Sequence, residues 1–208
     1  TTGPDNSVTT SEDVVYTFAS TDFSTGYADA EGTATFAGIK IVSIETTGDL
    51  ELSGIDVTAG QAIATGSVSN LKFIPNANEN GSPYATFTFE VYDGTAYSAS
   101  NYTMTVNVTA VNDVPTGADN SVTTTEDVTY TFASADFSTG YADAEGAATF
   151  AGIKIVSVET TGDLELSGTD VTAGQAIASG SISNLKFIPN VNENGSPYAT
   201  FTFEVYDG

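Results

Sequence analysis

Several residue types that carry much protein chemistry are missing from this chain. Its 208 residues include no cysteine, no histidine, no tryptophan and no arginine. Without cysteine there is no disulfide framework. The lack of both cysteine and histidine also argues against a transition-metal site and against histidine-based catalysis. The sequence has no apolar run long enough to cross a bilayer, so we expect no direct membrane insertion.

Positive charge is scarce as well. Four lysines stand against 27 acidic residues, and the formal net charge is −23. Nucleic acids and anionic membrane surfaces are bound through cationic patches, so this balance argues against both as partners. So much like charge also opposes compaction unless cations screen or bind it. The composition therefore points to cations as ligands.

The chain is an internal repeat with a period of 114 residues. Residues 2–94 and 116–208 align without gaps and differ at ten positions. A period this long is typical of one β-sandwich per repeat rather than of a solenoid unit. We predict two domains, residues 1–113 and 114–208, joined at the extended, proline-containing segment 111–115.

Alternating apolar and polar residues separated by Gly, Asn, Asp and Ser predict β-strands throughout. In the first repeat the predicted strands are residues 8–10, 14–20, 35–45, 48–54, 71–74, 84–92 and 97–111. Residues 22–32 are predicted to form a loop, and residues 55–69 a small hairpin and connector. Seven short strands in about a hundred residues are typical of a Greek-key sandwich. We predict an all-β fold of tandem Greek-key β-sandwiches arranged end to end.

The second repeat has no counterpart of residues 95–113. We expect it to lack its last strand and to leave the strand at residues 198–206 with an open edge. There are two explanations for the missing strand. Either the sequence is a piece of a longer array, or another copy of the chain supplies the strand.

Acidic and amide residues gather in the loops that strand alternation places near the junction of the repeats. They are Glu12 and Asp13, the Asn76–Asn80 loop, Asn112 and Asp113 in the linker, and Asp143, Glu145 and Asp207 of the second repeat. Carboxylate and amide oxygens without a basic partner nearby in sequence are typical of a hard-cation site, and irregular geometry favours Ca²⁺ over Mg²⁺. For residues 76–80 a turn is the better interpretation, and Asp22 and Asp136 are predicted turn or capping residues.

Four motifs carry a family resemblance: Asn-Asp-Val-Pro at 112–115, Thr-Glu-Asp at 125–127, Asp-Ala-Glu-Gly at 143–146 and Phe-Glu-Val-Tyr-Asp-Gly at 203–208. They resemble the cadherin-like tandem repeats of large bacterial RTX-type adhesins, which bind calcium between successive domains. The resemblance implies the ligands Glu12, Asn112, Asp113, Asp143, Glu145 and Asp207, with Asp29, Glu31 and Asp93 as the matching half-site of the first repeat. Glu145 stands where a second Asp is usual, and Val114 where animal cadherins have a second Asn. The alternative is that these acids only solubilise loop ends.

The leading hypothesis is a calcium-rigidified spacer in the stalk of an extracellular or cell-surface bacterial adhesin, with neighbouring repeats as its partners. One alternative is a self-assembling filament or surface-layer subunit completed by strand exchange between copies. Another is a calcium-dependent carbohydrate-binding module that recognises glycans. No pair of carboxylates is set apart as a glycosidase pair, so we expect that the chain is not an enzyme.

Overall fold

The computed structural model describes residues 1–30, 32, 35–144 and 149–208. Two predicted calcium ligands, Glu31 and Glu145, lie outside the described residues. The chain divides into two compact units, Thr1–Val111 (unit 1) and Asn112–Gly208 (unit 2). The boundary falls after Val111, whereas the sequence placed it after Asp113. Among the described residues, no helix is long and apolar enough to span a membrane.

The described residues of unit 1 form eight strands. They are β1 (Asn6–Ser11), β2 (Tyr16–Thr17), β3 (Gly38–Ser43), β4 (Asp49–Leu52), β5 (Ala62–Ala64), β6 (Leu71–Ile74), β7 (Gly81–Tyr92) and β8 (Tyr102–Thr109). A short helix, α1 (Thr21–Ser24), follows β2, and a 3₁₀ helix, Thr65–Asn70, follows β5.

The eight strands form two sheets. The larger has the order β1-β8-β7-β3-β5, and the smaller has the order β2-β6-β4. All pairs are antiparallel except β1 and β8, which run parallel. One core joins both sheets, because Ile39, Phe87 and Val106 of the large sheet and Leu50 and Phe73 of the small sheet are buried together. The predicted all-β class is confirmed, with a sandwich-like arrangement of sheets in this unit.

Four phenylalanines form the centre of that core. Phe18 lies 5.3 Å from Phe23 and 5.8 Å from Phe87, and Phe23 lies 5.0 Å from Phe89 in an edge-to-face contact, all measured between ring centroids. Phe23 comes from α1, which the sequence assigned to a loop. A single helical turn is enough to aim this ring inward, and buried aromatic pairs of this geometry stabilise a core beyond their area alone.

The second predicted strand is shorter than expected because turns limit it on both sides. Asp13 has a positive φ of 57°, and the N–H of Val14 donates to the carbonyl of Ser11 in a tight turn. On the other side, the Asp22 carboxylate accepts a hydrogen bond from the N–H of Ala19 at 2.8 Å, which starts α1. Only Tyr16–Thr17 remains extended and paired. The turn role predicted for Asp22 agrees with this contact.

Unit 2 repeats most of this plan, with seven strands in the part of it that the structure describes. They are β9 (Tyr130–Thr131), β10 (Gly152–Ser157), β11 (Asp163–Leu166), β12 (Thr169–Asp170), β13 (Ala176–Ala178), β14 (Leu185–Ile188) and β15 (Thr202–Tyr206), with helix α2 (Ala135–Ser138) and a 3₁₀ helix, Ser179–Asn184. The sheets have the orders β13-β10-β15 and β12-β11-β14-β9.

Unit 2 differs from unit 1 along one sheet edge. Residues 120–125 match β1 at five of six positions, yet they are not a strand. Strand β15 corresponds only to the last five residues of β7, and β10 is its one hydrogen-bonded neighbour among the described strands. Both losses occur where unit 1 pairs with β8.

Candidate metal sites

A hairpin in unit 1 brings three carboxylates together. Asp49 and Glu51 alternate along β4 and so share one face of the strand. Ser53 and Gly54 both have positive φ, 56° and 78°, and close a two-residue hairpin that sets Asp56 opposite Glu51. Carboxylate oxygens of the three acids lie within 4.8 Å of one another, and the group could hold a metal ion.

Unit 2 repeats this cluster with Asp163, Glu165 and Asp170, again within 4.8 Å. In each unit a lysine stands opposite the central acid in the strand register, Lys72 opposite Glu51 and Lys186 opposite Glu165. Three carboxylates so close together concentrate negative charge, which suits a bound cation. Neither cluster was among the ligands predicted from the sequence. Their signal was an Asp-x-Glu strand followed by Ser-Gly and a further Asp.

Glu12 is a buried acid at the end of β1. Only 3% of it is exposed. Its N–H donates to the carbonyl of Thr109 at 2.9 Å, and its Oε1 accepts a hydrogen bond from the N–H of Val111. Its Oε2 has no hydrogen-bond partner among the described residues. A buried carboxylate with one oxygen unsatisfied is costly unless a cation or another donor compensates it.

The equivalent residue of unit 2, Glu126, is in a different environment. It is exposed, and its Oε2 accepts one side-chain hydrogen bond from Asn194 at 3.3 Å. The two glutamates have nearly the same sequence neighbours. The two residues differ in burial because Glu12 lies against the end of β8, and unit 2 has no described strand in that place.

The loop that follows β1 and the loop between β6 and β7 meet in unit 1, as strand alternation requires. The Asp13 carboxylate accepts a hydrogen bond from the N–H of Asn78 at 3.1 Å. Within the loop between β6 and β7, the Glu79 carboxylate accepts hydrogen bonds from the Tyr84 hydroxyl at 2.8 Å and the Asn76 amide at 2.9 Å. These two bonds, Tyr84 first, hold the pKa of Glu79 below its usual value. This loop has the internal bonding of a turn.

The predicted ligands of unit 2 gather near one end of that unit. Thr116 and Ala142 form an antiparallel bridge through hydrogen bonds of 2.7 and 2.9 Å. Asn112 and Asp113 precede Thr116 closely in the chain, and Asp143 follows Ala142 directly.

Asp207 reaches the same end of unit 2 by way of β15. A Cβ added at Gly117 would lie 3.0 Å from the side chain of Val205, so the linker segment packs against β15 two residues before Asp207. The Oδ2 of Asp207 is buried without a hydrogen-bond partner among the described residues. Asn112, Asp113, Asp143 and Asp207 therefore belong to neighbouring segments of one unit.

The matching predicted residues of unit 1 are Asp29 and Asp93. Asp93 Oδ1 accepts hydrogen bonds of 2.7 Å from the N–H groups of Thr95 and Ala96. The pKa of Asp93 is lowered, chiefly by these backbone bonds. The Oδ2 of Asp29 is buried without a hydrogen-bond partner among the described residues.

Comparisons with known proteins give one structural neighbour to report. No family model matches the chain, and no curated protein matches it. Among solved structures, an endo-fucoidan hydrolase from glycoside hydrolase family 107 is similar with a TM-score of 0.31 and 19% identity, covering 98% of this chain and 26% of that enzyme. The chain therefore spans about a quarter of the enzyme's length.

This neighbour contradicts the expectation that the chain is not an enzyme, because the similar structure is itself an enzyme. That expectation is withdrawn. A TM-score of 0.31 carries no argument for a reaction, so no activity is derived from the likeness.

Proposed function

We propose that this chain is a calcium-rigidified spacer, a segment of the stalk of an extracellular bacterial adhesin built from tandem Greek-key, cadherin-like sandwiches. Neighbouring repeats of the same array are its partners. The proposed ligands are Glu12, Asn112, Asp113, Asp143 and Asp207, with Asp29 and Asp93 as the equivalent half-site of the first repeat.

One observation carries this proposal, the environment of Glu12. Its carboxylate is 3% exposed, and its Oε2 has no hydrogen-bond partner among the described residues. The other oxygen accepts a hydrogen bond from the N–H of Val111, the residue that precedes Asn112 and Asp113 in the chain. An oriented, partly unsatisfied carboxylate is a ligand of the kind that calcium takes.

Composition supports calcium as the ion. The chain offers carboxylate, amide and carbonyl oxygens but neither cysteine nor histidine, which excludes the ligands that transition metals favour. A net charge of −23 with four lysines leaves most acids without a basic partner. Bound divalent ions reduce this repulsion and stabilise the folded chain.

The near-identity of the repeats supports a spacer. A stalk needs interchangeable units, whereas a recognition site usually differs from its neighbours. Extracellular calcium modules often bind with a Kd of about 10⁻⁴–10⁻³ M. At about 1 mM calcium and a Kd near 10⁻⁴ M, one ion stabilises the folded state by about 1.4 kcal/mol. The linker is then ordered in extracellular fluid and loose under chelation.

The test compares two matched variants, Glu12→Gln and Glu126→Gln. Thermal melting and small-angle scattering are measured in millimolar calcium and in chelator. We expect calcium to raise the melting temperature and stiffen the wild-type chain. Glu12→Gln should lose most of this response, and Glu126→Gln, at the exposed equivalent position, should keep it.

The double variant Asp113→Ala, Asp143→Ala checks two more of the proposed ligands in the same assay and should also lose the calcium response. If the wild-type chain melts at the same temperature and keeps the same dimensions in calcium and in chelator, the spacer mechanism is wrong.

A further inference from the structure

An asparagine–glycine pair occupies the same loop in each unit. Asn80 precedes Gly81 between β6 and β7, and Asn194 precedes Gly195 at the equivalent place after β14. None of the other asparagines of the chain is followed by glycine. The pairing matters because glycine has no Cβ, so its backbone nitrogen approaches the side chain of the preceding residue without steric hindrance.

Asn80 is exposed to solvent, and its side chain makes no hydrogen bond within the described part of the chain. Earlier residues of the loop are held more firmly. The Asn76 amide donates to Glu79 Oε2 at 2.9 Å, and the N–H of Asn78 donates to the Asp13 carboxylate at 3.1 Å. These bonds fix the loop as far as Glu79 and leave the side chain of Asn80 able to rotate.

The backbone that follows Asn80 also has room to rearrange. Strand β7 begins at Gly81, which pairs with Val108 of β8, and the register then shifts before the next pair at Ala85. A peptide group at the end of a strand and beside such an irregularity is less constrained than one inside a regular ladder. The Gly81 nitrogen is therefore able to turn toward the Asn80 side chain.

Asn194 in unit 2 has a comparable environment. It is exposed, and the hydrogen bond from its amide to Oε2 of the exposed Glu126 is long, at 3.3 Å. Such a bond contributes little because water competes for both groups. The side chain of Asn194 is thus also able to rotate.

The aspartate–glycine pair at Asp93 and Gly94 makes an instructive contrast. Asp93 Oδ1 accepts hydrogen bonds of 2.7 Å from the N–H groups of Ala96 and Thr95, and these bonds lower the pKa of its carboxyl group. An ionised, hydrogen-bonded carboxylate resists attack by a nucleophile. The amide of Asn80 is neutral and has ammonia as its leaving group, so it is the more reactive of the two side chains.

We propose that Asn80 is a site of spontaneous deamidation in the folded chain, with Asn194 as its counterpart in unit 2. The backbone nitrogen of Gly81 attacks Cγ of Asn80, a C–N bond forms, and the Cγ–Nδ2 bond breaks. The reaction is intramolecular, which favours it over attack by water. The proton of the Gly81 N–H leaves with the side-chain nitrogen as ammonia, and a succinimide ring remains.

Water completes the reaction. It adds to one of the two carbonyl carbons of the succinimide and breaks the bond from that carbon to the nitrogen, which regains a proton. The product is aspartate or isoaspartate, depending on which carbon reacts. Each conversion adds one negative charge to a chain whose formal net charge is already −23, and at Asn80 the new carboxylate directly follows Glu79. Isoaspartate also lengthens the backbone by one methylene immediately before β7.

The experiment follows the whole 208-residue chain and the variants Asn80→Gln and Asn194→Gln during incubation at mildly alkaline pH. Peptide mapping by mass spectrometry measures the replacement of –NH₂ by –OH at each asparagine, and anion-exchange chromatography resolves the more acidic product. We expect Asn80 and Asn194 to react faster than Asn76, which lies in the same loop but precedes alanine. Each glutamine variant should lose the reaction at its own position only, because glutamine would have to close a larger ring.

Two further measurements test the role of Gly81 and of the fold. A Cβ added at Gly81 would lie 3.3 Å from the carbonyl oxygen of Pro83, so Gly81→Ala requires only a small adjustment and should slow the reaction at Asn80. A synthetic peptide of residues 76–84 gives the rate without the fold, and the folded chain should react within about tenfold of it.

Three results would overturn the proposal. They are a folded chain that reacts far more slowly than the peptide, deamidation of Asn76 as fast as that of Asn80, and a Gly81→Ala variant that reacts at the wild-type rate.

Discussion

Removing the equivalent aromatic ring from each unit compares a core that β8 helps to cover with one in which no described strand takes its place. Phe87 and Phe201 are equivalent residues with the same aromatic neighbours. The ring of Phe87 lies 5.8 Å from Phe18, and that of Phe201 lies 5.8 Å from Phe132. The difference is burial, because Phe87 is 1% exposed and Phe201 is half-buried.

Truncation of a fully buried phenylalanine to alanine costs about 3–5 kcal/mol, which combines lost transfer energy and the cavity left behind. We expect this cost for Phe87→Ala in unit 1. For Phe201→Ala we expect roughly half, about 1.5–2.5 kcal/mol, because part of the ring is already exposed to water and less apolar surface loses its burial.

The assay is denaturant-dependent hydrogen exchange followed by mass spectrometry, which reports the free energy of unfolding for each unit separately. The repeats differ at ten positions, so peptides that span one of these positions report on a single unit. Each variant should destabilise its own unit. Equal losses for Phe87→Ala and Phe201→Ala would refute the reasoning, since they would mean that Phe201 is as well covered in solution as Phe87.

Three further predictions concern other parts of the chain. Asp56→Asn and Asp170→Asn should each reduce by one the number of calcium ions counted by titration calorimetry, and an unchanged count would mean that the hairpins hold no ion. Gly38→Ala should destabilise unit 1 by about 1–3 kcal/mol in urea unfolding, because a Cβ there overlaps the backbone oxygen of Ile63. Burial, helped by Asp22, raises the pKa of Tyr16 to about 12 from 10.0. The contribution of Tyr16 to stability is therefore complete below pH 10 and is lost as the pH rises toward 12, which ultraviolet titration of the wild type and of Asp22→Asn can follow.

Local sequence patterns predict those elements whose partners lie close in the chain or whose alternation is strong. Residues 71–74 form a strand with the predicted bounds, and the strand predicted at 84–92 is present and begins at Gly81. The 3₁₀ helix Thr65–Asn70 and helix α1 were missed because each is a short turn fixed by tertiary packing of one buried side chain, Val68 or Phe23. The parallel pairing of β1 and β8 has no local signal.

The candidate sites show the same limit. The motif around Glu12 marks this residue for attention, but the same motif surrounds Glu126, and only one of the two is buried. Burial depends on contact with Thr109 and Val111, about a hundred residues away in the chain. The hairpin acids could have been predicted, since strand alternation and a Ser-Gly turn alone bring Glu51 and Asp56 together.

The parallel pairing of β1 with β8 also has a consequence for biosynthesis. Asn6 pairs with Met104, so the first strand of the unit has no partner until almost the whole unit has left the ribosome. Contacts of such long sequence separation form slowly because a large loop must close. In an array of near-identical repeats, a waiting first strand can meet the eighth strand of the wrong repeat. Synthesis from the N-terminus counters this error. The next eighth strand to leave the ribosome after a given first strand belongs to the same unit.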